Sequence, residues 1–443
     1  MTRPPEPRWR QPWTARAFAW WRERCDLAPL LALAARKSVP IHRLSWIYLL
    51  GGAALFLVAL QVATGCLLML YYQPAEATAH ESVRKIMTEV PYGWLVRSVH
   101  VWGAHAFIGT VILHFLTTLF AKAYRRPREL TWLSGAVLLL LAAGMGFSGY
   151  LLPWNQLSYS ATLVGTEIPG SFPIVGEAAV RLLRGGAQVT GETITRFHAA
   201  HVVILPLTLG AVLLVHLGLL QLHGMSLPLG TFPASVRDQQ PFFSEFLLSD
   251  ACAWLLLFGA IVTLAVYAPA EMGAKANPLQ STPEGIKPEW YFLFVFQLLK
   301  YVPESVGILL IAAGGAFLFA IPFVDRKAGR GERSPGFTAL YLALLAAALC
   351  LEIRAIVSPC LPKEREAFSA ETYRPLADTV WLAFLWAAIG FVVYYLQQLR
   401  RHNRQMRLLS ADLRAISNAA DGAGRATPAC LMNAPGGGSV ERR

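Results

Sequence analysis

Long apolar runs separated by short clusters of charge set the pattern of this chain. Eight runs come near or pass the roughly 20 residues that a helix needs to cross bilayer hydrocarbon. They lie at 46–70, 96–119, 132–151, 201–222, 251–269, 303–323, 337–357 and 376–396. The pattern predicts an all-α, polytopic membrane protein with eight transmembrane helices. The stretch 15–35 reads as an amphipathic surface helix. Residues 157–195 read as a long loop with Gly and Pro punctuation, and "GEAAVRLLRG" within it as a short interfacial helix. A connector of that length points to a functional role. Four parts follow: a tail with the surface helix (1–35), a unit with four spans (36–225), a second with four spans (226–402) and a tail (403–443) whose end, 420–443, is expected to be disordered.

Composition agrees. The 443 residues are 55% hydrophobic and 15% charged, against about 25% charged in soluble domains. The net charge of +12 could indicate nucleic acid, but its placement indicates topology instead. Basic residues collect in the N-terminal tail (Arg3, Arg8, Arg10), in "AKAYRRPREL" between spans two and three, in "DRKAGRGERS" between spans six and seven, and in "QQLRRHNRQMR" after span eight. All fall on one side of an eight-span count. The positive-inside rule puts that side, with both termini, in the cytoplasm. Six scattered cysteines form no CxxC or CxxCH pattern. The N-terminus lacks the apolar core of a signal peptide, so span one is expected to insert the chain.

Histidines carry the candidate chemistry, because ionisable groups inside membrane spans face the protein interior and mark function. In span two, His100 and His114 are 14 residues apart, about 21 Å along a helix and within about 40° of alignment. His105 points about 140° away from His100 and reads as packing. In span four, His201 and His216 are 15 residues apart, about 22.5 Å. That spacing turns one ring by about 60° relative to the other, which a modest twist or bend would absorb. Spans two and four run parallel, so His100 pairs with His201 near the outer face and His114 with His216 near the cytoplasmic face. Two imidazole pairs at two depths suit axial ligation of two b-type haems. Zinc fits less well, since it usually takes four ligands.

Glycines repeat the interval. Gly51 and Gly65 in span one, and Gly135 and Gly149 in span three, are each 14 apart. Glycine lets a flat macrocycle approach a backbone that a side chain would block. Arg97 and Arg196 lie at one outer level and would pair with haem propionates, or else snorkel to the interface.

With "ATG" at 63–65, "RSVHVWGAH" at 97–105, "GYLLPWNQ" at 149–156, "TRFHAAH" at 195–201 and "PEWY" at 288–291, the chain resembles cytochrome b, the quinone-handling core of cytochrome bc complexes, over roughly 35–400. The first half is similar to the chloroplast and cyanobacterial type, as in "MTEVPYGWLVRSVH" and "PRELTW". The second, like subunit IV of that type, is fused here and followed by the eighth span, with mitochondrial-like wording in "NPLQSTPEGIKPEWYFLFVFQLLKYVP". The resemblance implies a di-haem four-helix bundle in spans one to four and two non-covalent b haems. It departs at "IYLLGG", where Leu49 stands in place of the cysteine that attaches a third haem; Cys66 lies near the opposite end of that span. No covalent haem is expected.

The resemblance further implies quinol oxidation at an outer site and quinone reduction at a cytoplasmic one. One electron goes to a Rieske iron–sulfur subunit and the second passes the two haem levels inward. Glu289 is the expected proton acceptor, its pKa raised by partial burial, with Tyr291 positioning quinol and Pro288 shaping the approach. Asp250 is the inner proton donor, or else a helix cap. At the place of a family histidine stands Gln221, with His223 nearby. A c-type cytochrome partner, lipid and a homodimer of the complex in a bacterial inner membrane complete the expectation, without nucleic acid. A transporter would show matching repeats, which are absent. The haem-bearing membrane subunit of another quinone-linked dehydrogenase would lack "PEWY".

Overall fold

The computed structural model describes residues 12–25, 37–42, 45–172, 175–227, 239–280 and 287–357, with single positions at 397, 404, 408 and 411. Among them, seven helices are long and apolar enough to cross a membrane, not eight. They are span one (Ser45–Met69), two (Gly93–Phe120), three (Glu129–Tyr150), four (Gly191–His223), five (Leu247–Tyr267), six (Ser305–Val324) and seven (Pro335–Val357). The expected eighth, 376–396, lies outside the described residues. That expectation rested on apolar length alone, which states what a segment can cross and not what it packs against. Among the described residues the fold is all-α save an antiparallel pair, in which Ser38–Pro40 binds Gln239–Pro241 with Val39 opposite Gln240, and an isolated bridge between Asn155 and Lys275.

Span two is the axis of the bundle. Of its most apolar window 44% is buried, against 6% for span four, because spans one, three and five all pack on it. Its core face carries Trp102, Phe107 and Ile108, which meet Leu57, Ala142 and Ile261 of the neighbouring spans. The neighbouring spans turn apolar residues such as Leu140, Leu207, Leu214 and Leu256 outward, as a lipid-facing surface does. Span four packs on span three, and the short helix Leu293–Tyr301 packs on span seven.

Span four is not one regular helix. Its ladder loosens to a π-turn over Ala200–Ile204, between α-helices Gly191–Ala199 and Leu205–His223. A π-turn inserts one residue into an α-helix. His201 lies in it, so its 15-residue interval to His216 acts as 14 and the two rings regain a common face.

The connector 157–195 is helical over most of its length, with Gln156–Gly170 followed by the expected Gly176–Arg184. Asn155 caps the first through a reciprocal box with Ser158. A helix over Trp13–Arg24 matches the start of the expected surface helix, with Trp13, Phe18 and Trp20 exposed.

Each half holds the other. At the end of the bundle that carries His100, the Trp102 indole donates to the Ala268 carbonyl at 2.8 Å and the Asn155 amide to the Met272 carbonyl at 2.8 Å. At the opposite end, Lys122 Nζ lies 3.3 Å from Asp325, and both side chains are buried. Tyr124 and Ser334 hydroxyls each donate to that carboxylate at 2.7 Å. Burial pushes the Asp325 carboxyl up, but the Ser334, Tyr124 and Ala328 donors and the Lys122 charge outweigh it and hold it below the usual range.

Candidate functional site

Four histidines meet four glycines. A Cβ on Gly65 would lie 3.4 Å from the His100 ring, one on Gly149 2.7 Å from His201, one on Gly51 3.5 Å from His114 and one on Gly135 3.2 Å from His216. Glycine at these places keeps the histidine rings in the bundle interior. His100 and His201 face each other with ring centroids 6.4 Å apart and planes at 78°. That separation takes one metal ion with a nitrogen at about 2 Å on each side, once each ring's own half-width is counted. His114 and His216 likewise lie within electrostatic reach of each other.

Hydroxyls set the tautomers. Thr64 Oγ1 lies 2.8 Å from His100 Nδ1, Ser148 Oγ 3.0 Å from His201 Nδ1 and Ser134 Oγ 2.9 Å from His216 Nδ1. Each hydroxyl donates its own hydrogen to a carbonyl one turn back: Leu60, Met145 and Thr131 respectively. Each oxygen therefore accepts from an Nδ1–H, which leaves Nε2 bare, the form that ligates a metal. His114 Nδ1 is buried with no partner. The hydroxyl residues sit one place before Gly65, Gly135 and Gly149, while Leu50 holds that place before Gly51. Sequence reading missed this hydroxyl–glycine repeat, although it is legible once the glycines are aligned. Among the described residues no group of three or more His, Cys, Asp or Glu could hold a metal ion alone. Two histidines per level therefore fit haem, whose macrocycle brings its own equatorial nitrogens, and do not fit a bare zinc ion.

The two arginines differ. Arg97 is buried, and its guanidinium donates to the carbonyls of Ala270 at 2.7 Å and Glu271 at 2.8 Å. Arg196 is exposed and donates to Leu182 at 3.0 Å. Arg97 is thus a clamp between the halves at the level of His100, and Arg196 ties span four to the helix before it.

Glu289, Trp290 and Tyr291 open the short turn before helix Leu293–Tyr301, with Pro288 preceding them in extended chain. The Tyr291 hydroxyl rests where a Cβ on Gly146 would stand. Burial, then the charges of Glu289 and Tyr150, holds the Tyr291 phenol well above its ordinary range. It stays protonated and able to donate. The Glu289 carboxylate points to span two, 3.9 Å from His105 Nδ1, and the Trp290 indole donates to the same nitrogen at 3.3 Å. His105 meets Trp290 and Glu289 and not the glycines that face His100 and His114, so its surroundings are polar and not simple packing.

Asp250 lies in the first turn of span five, 4% exposed. A Cβ on Gly52 would come 2.6 Å from its carboxylate, which sets it beside the His114 level. It does not act as a cap: the helix start has no side-chain cap, and Asp250 Oδ1 has no partner. Gln221 is exposed, and His223 Nδ1 is buried without a partner.

Residues 36–224 match the family described as Cytochrome b/b6/petB, and 275–363 match Cytochrome b(C-terminal)/b6/petD. A cytochrome bc complex cytochrome b subunit of Chlorobaculum thiosulfatiphilum is 46% identical over 74% of this chain and 78% of that protein. A cytochrome b6 of Gloeobacter violaceus is 40% identical over 48% of this chain and all of that protein. A chain of a hyperthermophilic respiratory Complex III superposes with a TM-score of 0.69 at 30% identity, over 85% of this chain and 96% of its own. The chain belongs to the cytochrome b family and is related to the subunits of cytochrome bc-type complexes.

Proposed function

We propose how this cytochrome b subunit of a bc-type quinol oxidoreductase complex divides its work among its residues. His100 with His201, and His114 with His216, hold two non-covalent b haems, one at each level. The observation that carries this reading is the apposition of each histidine with a glycine. When bound, each haem supplies a one-electron carrier within the bundle. Leu49 offers no thiol for a covalent third haem. Arg97 lies close enough to His100 to supply charge at the outer level.

At the outer site, Tyr291 donates a hydrogen bond that orients quinol, and Pro288 fixes the turn that presents Glu289. The Glu289 carboxylate takes the proton of the quinol hydroxyl as oxidation proceeds. At the inner level, the Asp250 carboxyl, whose Oδ1 has no hydrogen-bond partner, delivers a proton to reduced quinone. Proton release outward and uptake inward together add to the membrane potential.

The complex requires a Rieske iron–sulfur subunit and a c-type cytochrome subunit, and works as a homodimer with quinone and lipid around it. The chain sits in a bacterial inner membrane with its basic loops and both termini in the cytoplasm, an orientation supported by the clustering of its arginines. The match of a cytochrome b6 to 48% of this chain, with separate family matches over 36–224 and 275–363, supports a fusion of a chloroplast-type first half to the second.

The test is a pyridine haemochrome assay with redox titration of the purified complex. Two b haems and no haem covalently held on this chain are expected. Retention of both low-spin haems after His100 and His114 are replaced would overturn the ligand assignment.

A further inference from the structure

The turn that carries Glu289, Trp290 and Tyr291 lies between two ties to span seven. We propose that span seven is the brace of this turn: Glu352 and Lys287 hold it from either side, and both are positioning residues for quinol oxidation. The inference rests on the reading of Glu289 and Tyr291 given above.

The chemistry of helix ends accounts for both ties. The first amides of a helix have no partner within it, and a side chain at the cap position normally accepts from the second or third of them. Helix Leu293–Tyr301 has Phe292 at its cap position and no side-chain cap. Glu352 of span seven supplies the acceptor instead: its carboxyl takes the Phe294 N–H, the second amide of that helix. Glu352 is 7% exposed. A carboxyl buried in an apolar span is costly without such a partner, and an acid suits the positive end of a helix.

The last carbonyls of a helix are unpaired in the same way. Lys287 Nζ donates at 3.3 Å to the carbonyl of Ile356, in the last turn of span seven, and a cation suits that negative end. Ile356 lies four residues after Glu352, so both ties fall on one face of span seven, about 6 Å apart along its axis. Residues 288–293 are strung between them. Within that stretch the Phe292 N–H donates to the Glu289 carbonyl at 2.9 Å and closes the turn. Beyond it, Arg354 Nε donates to the Tyr301 hydroxyl at 3.2 Å, which keeps the far end of the short helix on span seven as well. Placement matters to the chemistry: reacting groups misplaced by about 1 Å lose about hundredfold in rate. The brace needs an acceptor at 352, not a charge.

The test uses the intact complex with its haems. It reads steady-state kcat/KM for quinol and hydrogen–deuterium exchange over residues 287–296. Glutamine offers the same kind of acceptor oxygen as glutamate, while leucine fills the space and accepts nothing. Glu352→Leu is expected to lower kcat/KM about tenfold and to speed exchange at the start of the helix about fivefold, the effect of a lost cap. Glu352→Gln should stay within about twofold of wild type in both. Reduction of the b haems from the inner quinone site should be unchanged in either variant, since that route does not use the turn. Wild-type kcat/KM or unchanged exchange in Glu352→Leu would overturn the proposal, as would a loss in Glu352→Gln equal to that in Glu352→Leu. Equal losses at both quinone sites would overturn it too, because they mark a fold weakened throughout. Should Glu352→Leu fail to assemble, Lys287→Met removes the other tie and Lys287→Arg restores it, with the same outcomes deciding. A Glu289→Gln variant with wild-type turnover would instead remove the Glu289 reading, and the exchange comparison would still judge the brace.

Discussion

The proposed haem cradle depends on tenths of an ångström at single residues. A Cβ at 2.7 Å is closer than packed atoms tolerate, while one at 3.5 Å is an ordinary contact. Gly149→Ala should therefore displace His201, and the outer haem should show a shifted or halved absorption band. Gly51→Ala should leave the inner haem's spectrum unchanged. The hydroxyls set a second contrast. Thr64→Val removes the acceptor for His100 Nδ1–H, and loss of such a partner weakens metal binding about tenfold or more. A haem-retention assay after dialysis should show that loss at the outer level only. Leu50→Thr would give His114 the partner it lacks and make its ring a more basic ligand. The inner haem's midpoint potential should then fall, as a redox titration would report. These residues also mark what the sequence reveals. Histidine depth and glycine period follow from helix geometry. The pairing of each glycine with a ring depends on how helices rotate against one another, which spacing along one helix leaves open. His105 shows the same limit: its direction is calculable, but its neighbour Glu289 lies 184 positions away along the chain.

At the scale of elements, hydropathy located seven spans because a bilayer imposes one length on every helix that crosses it. It overstated the count by one relative to the described chain, and it read 157–195 as a loop although helices occupy much of it. Gly176–Arg184 is legible as a short interfacial helix, whereas Gln156–Gly170 begins at a capping box that apolar run length does not announce. The mismatch of 14 against 15 in the histidine spacing was legible as a demand for local distortion. The structure meets that demand with the π-turn at Ala200–Ile204. Deleting Val202 should convert that turn to α-helix without rotating His201 away from His216, so the purified complex should retain two b haems. Deleting Ala211, in the regular helix between the two histidines, should rotate them apart by about 100° and leave one. A haemochrome count that is the same for both deletions would show that the π-turn does not absorb the extra residue.

For the whole molecule, the basic loops do more than orient the chain. The sequence presents Lys122 and Asp325 as members of two charge clusters, with nothing to pair them across some two hundred positions. Folding brings them together between the first and second halves, at 3.3 Å and out of solvent. A buried pair of this kind adds little over a well-packed apolar pair, but breaking it strands a charge and costs about 3–5 kcal/mol. Asp325→Asn should thus lower the thermal midpoint of the complex in detergent, read from haem absorbance. Asp325→Leu combined with Lys122→Met should restore most of the loss. The sign of the pH effect follows from the carboxyl's lowered pKa. Its contribution is fully present above the unfolded carboxylate pKa of about 3.9 and is lost as pH falls through the lower folded value. The wild-type midpoint should owe no change to this group between pH 5 and pH 8, and should lose its contribution only on stronger acidification. In Asp325→Asn that acid-side loss should be smaller, because the group that gains the proton is gone. An equal acid response in wild type and variant would mean that other carboxylates govern how the two halves come apart.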